Sequence, residues 1–147
     1  MKKVVFVLLL SFMAIYAKGQ EAIQLSDLVG KWKLTKVEEV QLQGDTELSR
    51  QEYIPAAYSG NIYFDHLEFF SDGKISYGGK NSGELGAGKN IQLYEGSDNV
   101  GFHGDILSTF FAFKWLSEPT FFSLAQEKAS NQQSQTSTFV YYYYQKE

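Results

Sequence analysis

Four residues of this chain have the chemistry of a metal site. His66 and Glu68 stand two apart in Asp65-His66-Leu67-Glu68, on one face of a strand, and His103 and Asp105 flank a glycine in His103-Gly104-Asp105. Imidazole and carboxylate are zinc ligands, and a metal held by such a set would support hydrolysis. That arrangement forms only if the two segments become neighbours in the fold. The plainer reading places all four as solvated or hydrogen-bonded polar positions on an outer face, because no recognised ligand spacing is present.

Other chemistry is thinner. Gly83-Glu84-Leu85-Gly86-Ala87-Gly88-Lys89-Asn90 nearly matches a phosphate-cradling loop, but Asn90 stands where a magnesium-binding hydroxyl is needed. The residues after it alternate like a strand, so no helix N-terminus would face a phosphate. A glycine-rich hairpin is the better expectation. Glu38 and Glu39 are adjacent, and a strand points neighbours to opposite faces. No serine sits in a Gly-x-Ser-x-Gly elbow. There is no cysteine, which excludes a disulfide framework, a thiolate metal site and a cysteine nucleophile. Arg50 is the only arginine, so bidentate anion clamps are scarce. These residues point away from an enzyme and imply no cofactor.

The aromatic inventory is richer, with 12 Phe and 10 Tyr. Phe111, Phe113 and Trp115 share one strand parity, and Lys114 marks the other as outward, so the three rings are expected to point inward. Phe122 and Leu124 alternate in the next segment. In the last, Phe139, Tyr141 and Tyr143 oppose Val140, Tyr142 and Tyr144, with rings on both faces. Three uses compete for these rings: a packed core, the lining of a cavity for an apolar ligand, or an external patch for a partner.

The elements that must position these residues read as strands. Leu25 to Val29 is one helical turn with Ser26 as a candidate N-cap, ended by Gly30. Lys31 to Leu42 is a strand whose inward parity slips near Lys36, as a β-bulge would cause. Gln43 to Tyr58 reads as a long connection, with two helical turns over Asp45 to Glu52 stopped before Pro55. Further strands are expected at Asn61 to Phe70, Ile75 to Gly78, Asn90 to Tyr94, Val100 to Leu107, Thr109 to Leu116, Thr120 to Glu127 and Thr138 to Gln145. Asp72-Gly73 makes a hairpin turn between the first two of these. About eight strands at hairpin spacing, with no covering helix, predict an all-β fold: an antiparallel up-and-down β-barrel, with a two-sheet β-sandwich as the alternative.

Leu28-Val29-Gly30-Lys31-Trp32-Lys33-Leu34, Leu67-Glu68-Phe69-Phe70-Ser71-Asp72-Gly73-Lys74 and the aromatic final strand Phe139 to Tyr144 resemble the secreted bacterial lipocalin-like domains. The resemblance spans most of the chain after residue 19. It implies a barrel of about eight strands with an internal cavity, Gly30 and Trp32 closing one end, and the Gln43 to Tyr58 connection as a lid over the other. Lipocalins proper carry a late arginine stacked across the first-strand tryptophan. Here no arginine follows Arg50, and Lys146 is the available substitute. Their Thr-Asp-Tyr loop motif is also missing, so the likeness is to the broad lipocalin-like group.

Residues 1–19 read as a secretory signal: Lys2 and Lys3 precede an apolar stretch from Val4 to Ala17, followed by Ala17-Lys18-Gly19 as a processing site. That stretch is shorter than the roughly 20 residues a membrane-spanning helix needs. The expected mature chain, 20–147, is one soluble domain, periplasmic or extracellular, without a cysteine lipid anchor. Losing Lys2, Lys3 and Lys18 from 13 basic residues leaves 10 against 17 acidic, a charge of about −7 that disfavours nucleic acid and anionic membranes. The expected function is non-catalytic binding of a small hydrophobic molecule inside the barrel by Leu67, Phe69, Phe111, Phe113, Trp115, Phe122 and Tyr141. The alternatives are an interaction module with a filled core, holding a protein or envelope polymer through Tyr142 and Tyr144, and a metal-dependent hydrolase.

Overall fold

The computed structural model describes residues 23–86, 90–93 and 98–147. The expected signal segment lies outside them. A single helical turn, α1 (Leu25–Leu28), leads into β1 (Gly30–Gln43), β2 (Thr46–Tyr53), β3 (His66–Phe69), β4 (Ile75–Gly78), β5 (Asn90–Leu93), β6 (Asn99–His103), β7 (Ser108–Ser117), β8 (Phe121–Asn131) and β9 (Thr136–Lys146). Short 3-10 turns occupy Pro55–Ala57 and Ser82–Leu85.

All of the strands belong to one antiparallel sheet in the order β4-β3-β1-β9-β8-β7-β6-β5, with β2 also on β1. Hairpins link β5 through β9, and β9 then returns to β1, as an up-and-down barrel requires. One continuous sheet replaces the sandwich alternative. Closure is nearly complete. No ladder joins β4 to β5 among the described residues. The second 3-10 turn, which follows β4, docks on the turn between β6 and β7, where its Leu85 carbonyl accepts from the Ile106 and Leu107 amides at 3.1 and 3.5 Å.

β1 is long enough to serve two neighbours on one edge. Gly30 to Lys33 pair with β3, while Val37 to Gln43 pair with β2. On its other edge β1 follows β9 along its length, with a register shift between Leu34 and Lys36. This is the expected bulge near Lys36. It moves the inward parity from Trp32 and Leu34 to Val37, Glu39 and Gln41, and leaves Lys36, Glu38 and Val40 on the outer face.

The expected helix over Asp45 to Glu52 is not formed. Those residues turn at Gly44 (φ +55) and run back along β1 as β2. Seven of the eight β2 side chains are exposed, so its helix-compatible composition reflects a solvated edge strand. The lid assigned to Gln43 to Tyr58 is corrected for the same reason. Ile54 to Asp65 crosses the barrel instead, and the strand expected from Asn61 begins only at His66. We call this crossing segment the strap.

Register sorts the interior into layers. At one end lie Leu34, Tyr144, Phe122 and Trp115, with the Trp32 ring packed on Phe122 and Trp115. Next come Val37, Tyr142, Leu124 and Phe113, then Glu39, Val140, Gln126 and Phe111. The first end is plugged. Trp32 is fully buried, its indole N–H donates to the Leu28 carbonyl at 2.7 Å, and the Lys146 ammonium sits 5.3 Å from its ring. Gly30 adopts φ +126 beside the Lys146 side chain, where a Cβ would stand 3.0 Å from its Cε. Gly30 and Trp32 lie at this end, with the Lys146 ammonium over the indole ring.

Candidate functional site

The metal set is not assembled. His66 pairs with Lys33 and Gly78 in the β1-β3-β4 part of the sheet, whereas His103 pairs with Asn90 and Ser108 in β5-β6-β7. The His66 ring contacts the Asp65 carboxylate at 2.5 Å, and the His103 ring contacts Ser108 and Gln92 at 3.0 and 2.7 Å. Among the described residues no three His, Cys, Asp or Glu come close enough to hold a metal. The glycine-rich loop is a 3-10 turn over Ser82–Leu85 rather than a simple hairpin, and residues 87–89 lie outside the described residues.

Most of the residues expected to line an internal cavity are core. Leu67, Phe69, Phe111, Phe113 and Phe122 are buried, and Trp115 is partly buried against them. Their rings touch one another: Phe113 stacks on Phe122 at 4.9 Å, Phe122 lies 4.7 Å from Trp32, and Trp115 is 5.1 Å from Phe113. Among the described residues, the strap packs against these rings. Its Ile62 and Phe64 are 4% and 1% exposed, and Phe64 lies 4.5, 5.1 and 6.1 Å from Phe102, Tyr77 and Phe111.

Tyr141 does not join this set. It pairs with Glu38 and Ala125 and alternates with the core residue Tyr142, so it faces outward. Tyr142 and Tyr144 are corrected in the opposite sense. They are 5% and 1% exposed, and their hydroxyls donate to the Asn61 and Phe64 carbonyls at 2.9 and 2.7 Å. They fasten the strap and present no surface to a partner. With rings on both parities of β9, only the pairing register reveals which set is inside.

A cleft of about 270 Å³ remains at the mouth, opposite the Trp32 plug. The strap supplies Tyr58, Gly60, Asn61 and Tyr63; β8 supplies Gln126, Glu127 and Lys128; β9 supplies Val140 and Tyr142. Tyr58, Val140 and Tyr142 are buried and form the firm part of the wall. Lys128 falls at a register shift in β8, between Glu127 and Ala129. Its ammonium reaches the Glu39 carboxylate, which also accepts the Tyr58 hydroxyl at 2.8 Å. Burial pushes the Glu39 carboxyl up, but Lys128 and Tyr58 outweigh it and hold it below the ordinary carboxylate value. Burial and Glu39 together push the Tyr58 hydroxyl far up, so it stays a donor. The Gln126 amide donates to the Thr109 hydroxyl at 2.9 Å and the Phe110 carbonyl at 3.2 Å, which fixes its orientation.

The arrangement offers aromatic and aliphatic walls ringed by oriented polar groups, with Lys128 and Glu39 paired in place and the Glu127 carboxylate on the rim. It suits recognition of a molecule with an apolar body and a few polar substituents. A larger groove, of about 650 Å³, lies outside the barrel where β1 is uncovered between β2 and β3. Several of its walls, Lys33, Ile54, Asp65, His66 and Glu147, are solvent-exposed, so it holds a guest less tightly.

A second polar cluster sits on the outer face. Glu38 is only 4% exposed and is held by Lys36 at 2.8 Å, Arg50 at 2.6 Å and the Tyr143 hydroxyl at 2.6 Å. Arg50 also pairs with Glu47, and the Lys36 ammonium lies 4.4 Å over the Tyr143 ring. This cluster ties β2, β1 and β9 together. Sequence reasoning missed both it and the mouth residues Tyr58, Asn61, Tyr63, Gln126 and Lys128. The signal for Glu39 was the bulge: carrying the parity change past Lys36 places Glu39 inside and Glu38 outside.

No protein-family model, no curated protein and no solved structure matches this chain. Among the described residues no helix is long and apolar enough to cross a membrane.

Proposed function

We propose that this chain is an exported, non-catalytic binding protein of the lipocalin-like group, and that it takes a small, partly apolar molecule at the barrel mouth. The observation that carries the reading is the mouth cleft itself: about 270 Å³ of space beside the buried core rings, walled by Tyr58, Val140 and Tyr142. Ligand pockets commonly span roughly 300–1,000 Å³. A cleft just below that range fits a single substituted ring better than a long-chain lipid. Export rests on the sequence of residues 1–19.

The test is titration with 1-anilinonaphthalene-8-sulfonate, an aromatic anion with an apolar body. Asn61 is exposed on the rim, so Asn61→Trp would block the cleft while sparing the core. The variant is expected to keep the melting temperature and to weaken dye binding at least about ten-fold, the loss of roughly 1.4 kcal/mol. Equal binding by both proteins would overturn the mouth as the site.

The burial of Leu67, Phe69, Phe111, Phe113 and Phe122 in the core favours a second reading, an interaction module for a protein or envelope polymer. It would use residues other than Tyr142 and Tyr144. Absence of dye binding to the native protein would favour it.

A further inference from the structure

The strap supplies core side chains from a segment that belongs to no strand. Ile62 and Phe64 come from the irregular stretch between the Pro55–Ala57 turn and β3, yet both are buried among the barrel's rings. The surrounding strands form the barrel wall without them. Hydrogen bonds hold the strap alongside that packing: the Tyr58 hydroxyl donates to Glu39 at 2.8 Å, the Leu34 amide to the Asp65 carbonyl at 2.9 Å and the Asp65 amide to the Gly78 carbonyl at 2.7 Å. Tyr142 and Tyr144 donate to the Asn61 and Phe64 carbonyls. Asn81 bonds Ile62 through both its side-chain oxygen and its amide, each at 2.9 Å. The Lys80 ammonium holds the Tyr58 carbonyl at 2.5 Å. Around Phe64 the contacts are ring to ring, with Phe102, Tyr77 and Phe111, a lining that accepts another aromatic body equally well.

We infer that the strap is a displaceable internal plug: Ile62 and Phe64 occupy the barrel interior in place of an apolar guest, and a guest enters only when the strap lifts. The inference rests on the proposed binding role but concerns a different volume from the mouth cleft. The two are coupled. Tyr58, Gly60, Asn61 and Tyr63 of the strap also wall that cleft, so a ligand seated there pins the strap down and opposes opening. Apparent affinity for the guest is the intrinsic affinity reduced by the fraction of molecules with the strap raised. Weakening a fastening therefore raises that affinity until the open form predominates.

The experiment uses N-phenyl-1-naphthylamine, an uncharged apolar fluorophore, on protein carrying Asn61→Trp so that the mouth is blocked. Adding Tyr144→Phe keeps the ring and removes the donor to Phe64. About ten-fold tighter uptake is expected, the change that the loss of roughly 1.4 kcal/mol in one fastening produces. Phe64→Ala should bind tighter still, because it vacates the space directly. Should Phe64→Ala fail to fold, hydrogen exchange on the Asn61→Trp protein decides alone: the amides of Ile62 to Asp65 should exchange faster with the fluorophore bound. Unchanged uptake on adding Tyr144→Phe, or strap amides that exchange no faster with the fluorophore, would overturn the plug. Because the mouth is blocked throughout, that failure leaves the mouth reading standing. Loss of the mouth reading would appear in the dye titration of the native protein.

Discussion

Tyr144 donates its buried hydroxyl to the carbonyl of Phe64, 80 residues earlier in the chain, at 2.7 Å. The bond joins the last strand to the strap across the barrel. Both groups are withdrawn from water, so each would be left unsatisfied without the other. The same bond holds Phe64 among Phe102, Phe111 and Tyr77.

Tyr144→Phe should therefore cost about 1–3 kcal/mol of stability, the cost of leaving a buried carbonyl unpaired. Urea unfolding of the two proteins measures it. A midpoint lowered without a change in slope is expected. A difference too small to resolve would mean that water replaces the tyrosine at Phe64.

The docking of the second 3-10 turn on the turn between β6 and β7 depends on a close approach at Gly104. A Cβ there would collide with the Leu85 carbonyl, and the Leu107 carbonyl lies 2.8 Å away on the other side. Neither is a flexible side-chain end. Gly104→Ala should destabilise by about 1–3 kcal/mol, as overpacking does, and should expose the Leu85 region to faster hydrogen exchange. Gly83→Ala, where a Cβ meets nothing within 4 Å, is the matched control and should change stability little.

Acid stability should follow Glu38 and Glu39. Burial pushes Glu38 up, but Lys36, Tyr143 and Arg50 hold it below the ordinary carboxylate value, and Glu39 is held below by Lys128 and Tyr58 after the same opposition. A carboxyl lowered in the folded state contributes stability that is complete above its unfolded value, about 4.3, and lost as pH falls through its folded value. Unfolding free energy should thus be flat near neutrality and decline below about pH 4. Glu38→Gln should lower stability at neutral pH and flatten that decline. A variant with an unchanged acid profile would contradict the role of the cluster.

Alkaline behaviour carries the opposite sign. Burial is the first cause that pushes Tyr58, Tyr142, Tyr143 and Tyr144 well above the ordinary phenol value, with Glu39 or Glu38 adding to it at Tyr58, Tyr142 and Tyr143. A raised folded value contributes stability present below about pH 10 and lost as pH rises beyond it. Of the 10 tyrosines, these four should resist ionisation in the ultraviolet titration until the protein unfolds. A smooth titration of all tyrosines near pH 10 with the fold intact would contradict their burial.

Much of the barrel was legible in the chain because its cues are local. Asp72-Gly73 set the β3-β4 turn, and Gly73 does adopt φ +84. Lys114 set the facing of Phe111, Phe113 and Trp115, and the broken parity at Lys36 marked a real bulge. What failed depends on distant partners. β2 looked helical because Thr46 to Tyr53 is mostly polar with no strand alternation, and only pairing with β1 makes it a strand. Tyr141 could not be told from Tyr142 because both parities of β9 are aromatic, and the choice comes from Val37, Leu124 and the strap. The mouth cleft was invisible for the same reason. It unites the strap with β8 and β9, more than 60 positions away in the sequence.

The most direct measurement is a two-dimensional amide NMR titration of the native protein with 1-anilinonaphthalene-8-sulfonate. Binding at the mouth predicts that the amides of Tyr58, Gly60, Asn61, Gln126, Lys128 and Val140 move together and saturate together. Shifts confined to Lys33, Ile54 and His66 would place the ligand in the outer groove. That result, or no saturable shift at all, would contradict the account.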